Sequence, residues 1–325
     1  MNNNDSARFE IFFKGGIDPT LANKRTVIAL GTFDGVHIAH KALICEAVSL
    51  KERLCASLVG VWCFEESPAA IIHSSPSYSL SSTGEKIALL FENGADFVVM
   101  GRFEALRETE ASEFIESILK KELRGVGTVC GYNHRFGYMG LGNPTLLDDS
   151  FGKDMTVIVP EIRLSGETVS SSAIRDHILH GEMEIANKML GRAFSLTAPI
   201  SKGKKLGRTI GFPTANQIFP KGFVPLKNGV YATRCSFGNS ETYMGVSNVG
   251  VRPSIESGDD HRLNCETYII DFSGEIYGKE MKIEFCSFLR EEKKFSSLDE
   301  LSRAIELDRE HTVNFFSKDK KDNIK

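Results

Sequence analysis

Apolar residues in the first half of this chain come in short unbroken runs. Residues 26–31 (TVIALG), 57–64 (SLVGVWCF), 96–100 (DFVVM), 127–131 (GTVCG) and 155–159 (MTVIV) are each rich in β-branched side chains. Runs without a polar face suit central strands covered on both sides. Helical patterns lie between them. Residues 42–54 follow the first run, and Ser82 with Glu85 forms a capping-box pattern ahead of residues 86–91. Residues 112–123 carry Phe114, Ile115, Ile118 and Leu119 as one apolar stripe. This alternation predicts an α/β doubly wound parallel sheet with ligands at the carboxyl ends of its strands.

Beyond residue 191 the pattern changes. Residues 229–237 (GVYATRCSF), 242–249 (TYMGVSNV), 265–272 (CETYIIDF) and 281–289 (MKIEFCSFL) read as strands separated by Gly, Asn, Asp and Ser turns. Many short strands at such spacing predict an antiparallel β-barrel. A closing helix follows: Ser297 and Glu300 form a second capping box, and Leu298, Leu301, Ile305 and Leu307 supply apolar positions up to Phe315. The break falls near residues 188–196, giving domains 1–190 and 191–325, as a chain of 325 residues leads one to expect. The polar ends, 1–6 and 317–325, are expected to fray.

Composition narrows the function. Hydrophobic content of 41% and charged content of 25% are those of a soluble globular protein, and a net charge of −4 argues against nucleic acid as the main partner. No apolar stretch approaches the roughly 20 residues that span a bilayer, and the N-terminus has no signal-peptide pattern. Seven cysteines, without a Cys-x-x-Cys pair and mostly in apolar surroundings, fit reduced thiols in a cytoplasmic protein.

Two stretches on opposite sides of the break read as phosphate-handling sites. The first is Gly31-Thr32-Phe33-Asp34-Gly35-Val36-His37-Ile38-Ala39-His40. If a helix begins at Ile38, His37 and His40 face the mouth of the first β-to-α turn, where free N–H groups and partial positive charge attract anions. Imidazoles there stabilise charge that grows on a phosphate during nucleotidyl transfer; the alternative is a pair of satisfied structural histidines. Ser170-Ser171-Ser172-Ala173-Ile174-Arg175 offers a second grip, three hydroxyls and a bidentate arginine, or else a plain serine cap with a solvent-facing Arg175. Past the break, Gly203, Gly207 and Gly211 punctuate a basic stretch that ends in Phe212-Pro213-Thr214-Ala215-Asn216. Glycines let a loop wrap phosphates, and Thr214 and Asn216 offer neutral oxygens to a hydrated Mg²⁺; the alternative is an ordinary barrel turn. Together the two stretches suggest consecutive phosphoryl chemistries, the product of one feeding the other.

These motifs resemble those of a known family. The segment from Gly31 to His40 resembles the His-x-Gly-His signature of nucleotidyltransferases, and Ser170 to Arg175 is similar to their second signature. Gly131-Tyr132-Asn133-His134-Arg135-Phe136-Gly137 resembles the loop that bacterial FAD synthetases use near the flavin. The match to the prokaryotic bifunctional riboflavin kinase/FAD synthetase family spans residues 26–308 with its motifs in order. It implies a nucleotidyltransferase-like (Rossmann-like) first domain that binds ATP through Gly31, Phe33, Asp34, Ser171 and Ser172, with His37, His40 and Arg175 catalytic. Asn133, Arg135 and Phe136 would meet the flavin. For the second domain the resemblance rests on Gly-Phe-Pro-Thr-Ala-Asn, Asn228 to Tyr231, Ser247 to Pro253, Glu266 and Phe288-Leu289-Arg290 with Phe295. It implies Mg–ATP held by Gly203, Gly207, Thr214 and Asn216, Glu266 as base on the ribityl hydroxyl, and Arg290 at the flavin or in a structural ion pair.

The implied activity is riboflavin to FMN, then FMN to FAD and pyrophosphate, with ATP as co-substrate and Mg²⁺ in both steps. Two departures bear on it. Ala39 stands where the signature has glycine, which implies crowding of ATP, and Phe64-Glu65-Glu66-Ser67-Pro68 replaces Phe-x-Pro-His-Pro. They permit a rival reading, a kinase with a feeble first domain. A flavin-binding or flavin-sensing protein without turnover is a second rival, against which His37, His40, Arg175 and Glu266 speak. Nucleotide transfer to another phosphorylated acceptor is a third, against which the loop at Asn133 argues.

Overall fold

The computed structural model describes residues 8–65, 71, 78–201, 207, 210–238, 241–251 and 263–322. The chain divides into two compact units, Met1–Ser171 and Ser172–Lys325. Strands β1 (Phe9–Phe12), β2 (Thr26–Leu30), β3 (Leu58–Phe64), β4 (Phe97–Gly101), β5 (Gly125–Gly131) and β6 (Thr156–Val159) form one parallel sheet in the order β1-β4-β3-β2-β5-β6. Every residue of β2 is buried. Val27 and Ala29 enter one core with Ile44 and Leu50 of α1 (Ile38–Arg53), whereas Ile28 and Leu30 enter the opposite core. That double burial is why the run lacks alternation. The chain leaves β2 to build β3 and β4 on one side and returns to its other edge as β5, so the carboxyl end of β2 lies at the switch point where such sheets bind ligands.

Helix α2 (Thr83–Glu92) starts as its capping pattern predicts, Ser82 Oγ accepting from Glu85 N at 3.2 Å. Helix α3 (Phe114–Glu122) keeps Phe114, Ile115, Ile118 and Leu119 buried, but it is wound wider than α-helical spacing implies, with Leu123 N donating to Ile118 O. Helix α4 (Pro144–Phe151) and the hairpin of β7 (Arg163–Leu164) and β8 (Glu167–Thr168) complete the unit. Strand β1 went unsignalled in the sequence because it is a short edge strand with Ile11 alone fully buried.

Helices α5 (Ser171–His180) and α6 (Met183–Leu190) precede six antiparallel strands: β9 (Phe194–Pro199), β10 (Thr214–Ile218), β11 (Gly229–Ser236), β12 (Thr242–Val251), β13 (Leu263–Ile269) and β14 (Glu280–Arg290), in the order β10-β13-β12-β11-β14-β9. The sheet curls until Ser201, just past β9, bridges Asn216 of β10. Gln217, wholly buried, stitches the closure by donating to the carbonyls of Ala198 and Met281. Inside the curl a hydroxyl chain crosses three strands, Thr233 to Ser247 at 2.9 Å and Ser247 to Thr267 at 2.8 Å. The closing helix α7 (Leu298–Asp322) packs on the outer face, Val313 against Val230 and Val246, and Phe316 against Ala232 and Cys286. Its cap is the predicted one, Ser297 Oγ accepting from Glu300 N. It continues past Phe315 to Asp322, where fraying from residue 317 was expected.

All seven cysteines are free thiols, five of them buried. Among the described residues no helix is long and apolar enough to cross a membrane.

Asn187 ties α6 to the curled sheet. Its Nδ2 donates to Phe285 O at 2.8 Å and its Oδ1 accepts from Phe194 N at 2.7 Å. Asn187→Ala leaves both partners unmet, at a cost of about 1–3 kcal/mol. A thermal melt should show the second unit unfolding earlier by several degrees, about 2–4 °C per kcal/mol for a unit of this size. An unchanged melt would mean that α6 is not integral to it.

Candidate active sites

The first site is built where β2 ends. Gly31 N donates to Trp62 O, and the chain then turns through Phe33 (φ 52°), Gly35 (φ 75°) and Val36 (φ 39°) before α1. Phe33 is buried with its ring against Gly31, where a β-carbon would lie 3.0 Å from the ring. Left-handed backbone at a bulky and a β-branched residue is costly and marks a turn that its surroundings hold in place. Asp34 supplies part of that hold. Its carboxylate accepts from Leu80 N at 3.0 Å, and its carbonyl accepts from Ser171 Oγ at 2.9 Å. Asp34 and Ser171, assigned to one ATP site from sequence, therefore do meet.

His37 caps α1. Its Nδ1 accepts from His40 N at 3.3 Å, so a neutral His37 carries its proton on Nε2. The two imidazoles stack with centroids 3.6 Å apart, and both are buried. His40 Nδ1 is buried without a partner. Burial first, then the His37 and Lys86 charges, hold the His40 pKa well below the ordinary imidazole value. His40 is thus neutral at working pH. Lys86 is itself buried, its ammonium donating to Phe64 O at 2.9 Å at the end of β3. Burial also pushes the Cys63 thiol up to about 11, with Lys86 pulling the other way. The sequence reading missed Lys86, which looked like one more polar position of a helix. Ala39 sits in the first turn of α1, half-buried, on helical backbone that does not call for glycine. Ser67 lies outside the described residues.

The loop after β5 exposes Asn133 and Arg135 and buries Phe136 against the Phe114 ring at 5.5 Å. Gly137 (φ 72°) ends it because a β-carbon would meet Ala111 at 2.7 Å. His134 stacks on Phe136, and burial lowers its pKa to about 4. Ser172 and Arg175 occupy the start of α5 and belong to the second unit.

The second site lies on the outer face of the curled sheet, under α7. Register places Thr214 opposite Tyr268, and Asn216 opposite Glu266, which in turn faces Asn248. A cavity of ≈ 450 Å³ opens over this row, lined by Gly207, Thr214, Glu266, Tyr268, Arg290 and Phe295 among others. Thr214 and Asn216 thus sit on a strand and not in a turn. Polar TANQI hides β10 from hydrophobic patterning, since its inward residues are Ala215 and Gln217. Asn216 is 3% exposed and lies beside the cavity, not among its lining residues. Gly207 accepts from Ile210 N and Phe212 N, and a β-carbon there would lie 2.2 Å from Phe212 O. Arg290 makes the ion pair left open by sequence: Nε and Nη2 donate to the two Asp308 oxygens at 2.9 and 2.8 Å. Asp308, on α7 and 2% exposed, was missed because its partner is 18 residues away. Gly203 lies outside the described residues, as do Arg252 and Pro253.

With this geometry known, comparison with other proteins gives a consistent result. The FAD synthetase family model matches residues 20–173, and the riboflavin kinase model matches residues 190–316. The chain is 31% identical over 297 residues to the bifunctional riboflavin kinase/FMN adenylyltransferase of Bacillus subtilis, covering 90% of this chain and 93% of that protein. It is 34% identical over 299 residues to the protein of the same description from Listeria monocytogenes, with coverage of 90% and 93%. A Streptococcus pneumoniae structure described as a macrolide-efflux protein superposes with a TM-score of 0.85 at 26% identity, over 94% of this chain and 99% of that one. The fold and these matches together define a two-domain transferase that uses ATP. The chain belongs to the bifunctional riboflavin kinase/FMN adenylyltransferase family.

The buried histidine gives a direct test. In an NMR titration His40 should protonate only well below the pH at which an ordinary imidazole does, since burial first, and then the neighbouring His37 and Lys86, oppose its protonation. Lys86→Met removes one of those groups and should move the titration to higher pH. A His40 resonance that titrates at the ordinary imidazole value in the parent protein would contradict this electrostatic picture.

Proposed function

We propose that the second unit phosphorylates riboflavin to FMN and the first adenylylates FMN to FAD, ATP serving as co-substrate in both steps. What carries the reading is the row Asn216–Glu266–Asn248, a carboxylate flanked by neutral amides beside a cavity that a flavin can enter. In the kinase step Glu266 accepts the proton of the ribityl hydroxyl as that oxygen attacks the terminal phosphate. Mg²⁺ accompanying ATP would be held by the neutral oxygens of Thr214 and Asn216 and would offset phosphate charge; no three acidic, His or Cys side chains group as a metal site among the described residues. Gly203 and Gly207 let the loop approach the phosphates. Phe295 and Tyr268 give the cavity aromatic walls, and Arg290 borders it while holding α7 through Asp308.

In the adenylyl transfer, Gly31, Phe33 and Asp34 shape the turn that receives ATP. His37, fixed by its cap to present Nε2–H, and neutral His40 donate to the phosphate as charge develops, a role that needs placed donors and no covalent intermediate. Ser171, whose hydroxyl already meets the Asp34 carbonyl, adds to the grip on the triphosphate, and Asn133 and Arg135 meet FMN on a loop braced by the buried Phe136. The reduced thiols fit a cytoplasmic enzyme.

Two substitutions separate the steps. Glu266→Gln should slow FMN formation about 10²- to 10⁴-fold and leave FAD formation from supplied FMN intact. His40→Ala should do the converse. Chromatographic separation of riboflavin, FMN and FAD reads both, and near-parental FMN formation by Glu266→Gln would remove the base assignment. Ala39→Gly should improve ATP use in FAD synthesis; an unchanged KM for ATP would show that the methyl does not crowd the nucleotide.

A further inference from the structure

Asn264 stands two residues before Glu266 on the same face of β13, and diagonally across from Asn216 on β10. Its Nδ2 donates to Glu266 Oε1 at 3.3 Å and to Asn216 Oδ1 at 3.4 Å. An asparagine amide has two N–H donors in one rigid plane, so a single group can fix two oxygens at a set angle and separation. Asn248, the neighbour of Glu266 on the other side, donates instead to Glu292 at 3.1 Å. Among the described residues, then, Asn264 is the side chain that bonds Glu266. Among the described residues only one of its carboxylate oxygens is bonded, Oε1, which leaves the other for a hydroxyl proton.

Asn264 is 7% exposed, and its own Oδ1 is buried with no partner among the described residues. An unmet buried acceptor is a standing cost to the fold, one that an apolar side chain of the same size would avoid. A residue present only for packing has no reason to carry it. The cost is explained if the amide is kept for its two donors.

We propose that Asn264 is a positioning residue of the kinase step, holding Glu266 and Asn216 in register before substrate arrives. This rests on Glu266 as the base. A glutamate has three side-chain torsions, and a carboxylate that must find its orientation at each turnover is a poorer base than one already aimed.

The test is a double-mutant cycle in the full chain, with initial rates of FMN formation measured over riboflavin concentration. Asn264→Leu keeps the volume and removes both donors. It should lower kcat about 10- to 100-fold, the loss typical when a supporting hydrogen bond behind a functional ligand is removed, and change KM for riboflavin little. FAD formation from supplied FMN should stay at the parental rate, and the melt should shift by less than about 3 °C, so the loss is not one of folding. In a Glu266→Gln background the same change should cost less than about threefold, because partners acting as a unit are not additive. Asn264→Ser, which retains one hydroxyl donor, should fall between; it carries the test if Asn264→Leu does not fold. Parental kcat in both variants, or equal losses with and without Glu266, would overturn the proposal while leaving the base intact. A Glu266→Gln enzyme with near-parental kcat would instead remove the base reading itself.

Discussion

A strand buried on both faces has room for polar chemistry only at its ends, and the first unit is arranged around that constraint. Val27 and Ala29 are committed to one core, Ile28 and Leu30 to the other. The first place the chain can present donors is the turn after Leu30. That turn packs left-handed backbone, the Asp34 hydrogen bonds and the His37 cap into a few residues. The stacked, buried histidines are part of that packing. His37 uses its Nδ1 to accept from His40 N and so starts α1.

The second unit meets the same need differently. An antiparallel sheet hydrogen-bonds within itself and can turn one face to a core and the other to a ligand. Here the inner face holds Gln217 and the Thr233–Ser247–Thr267 hydroxyls, while the outer face holds Thr214, Glu266 and Asn248. Helix α7 covers part of that outer face and leaves a cavity beside the carboxylate, and the Arg290–Asp308 pair sets where the cover lies. The pair is buried on the aspartate side, and breaking it would strand a charge.

Much of this was legible in the sequence. Unbroken apolar runs marked β2 to β6, because double burial leaves no polar alternation to confuse. Both capping boxes marked helix starts, because the serine–glutamate spacing is a local geometric requirement. Strands β1, β9 and β10 were not legible: β1 is a short edge strand, β9 ends its sheet order with mixed polarity and a closing proline, and β10 faces its core with alanine and a buried glutamine. Lys86, Asp308 and Asn264 went unseen for a shared reason. Lys86 and Asp308 bond partners that the fold brings near, Asn264 bonds Glu266 because a strand sets positions two apart on one face, and nothing in the local sequence distinguishes such residues from surface polar positions.

The central claim is that one chain runs two successive ATP-dependent steps at separate sites. A time course starting from riboflavin, ATP and Mg²⁺, sampled by chromatography, tests it most directly. FMN should appear without delay and FAD after a lag, and supplied FMN should give FAD with no lag. FMN that accumulates while FAD never forms, from either starting flavin, would contradict the account and leave a kinase alone.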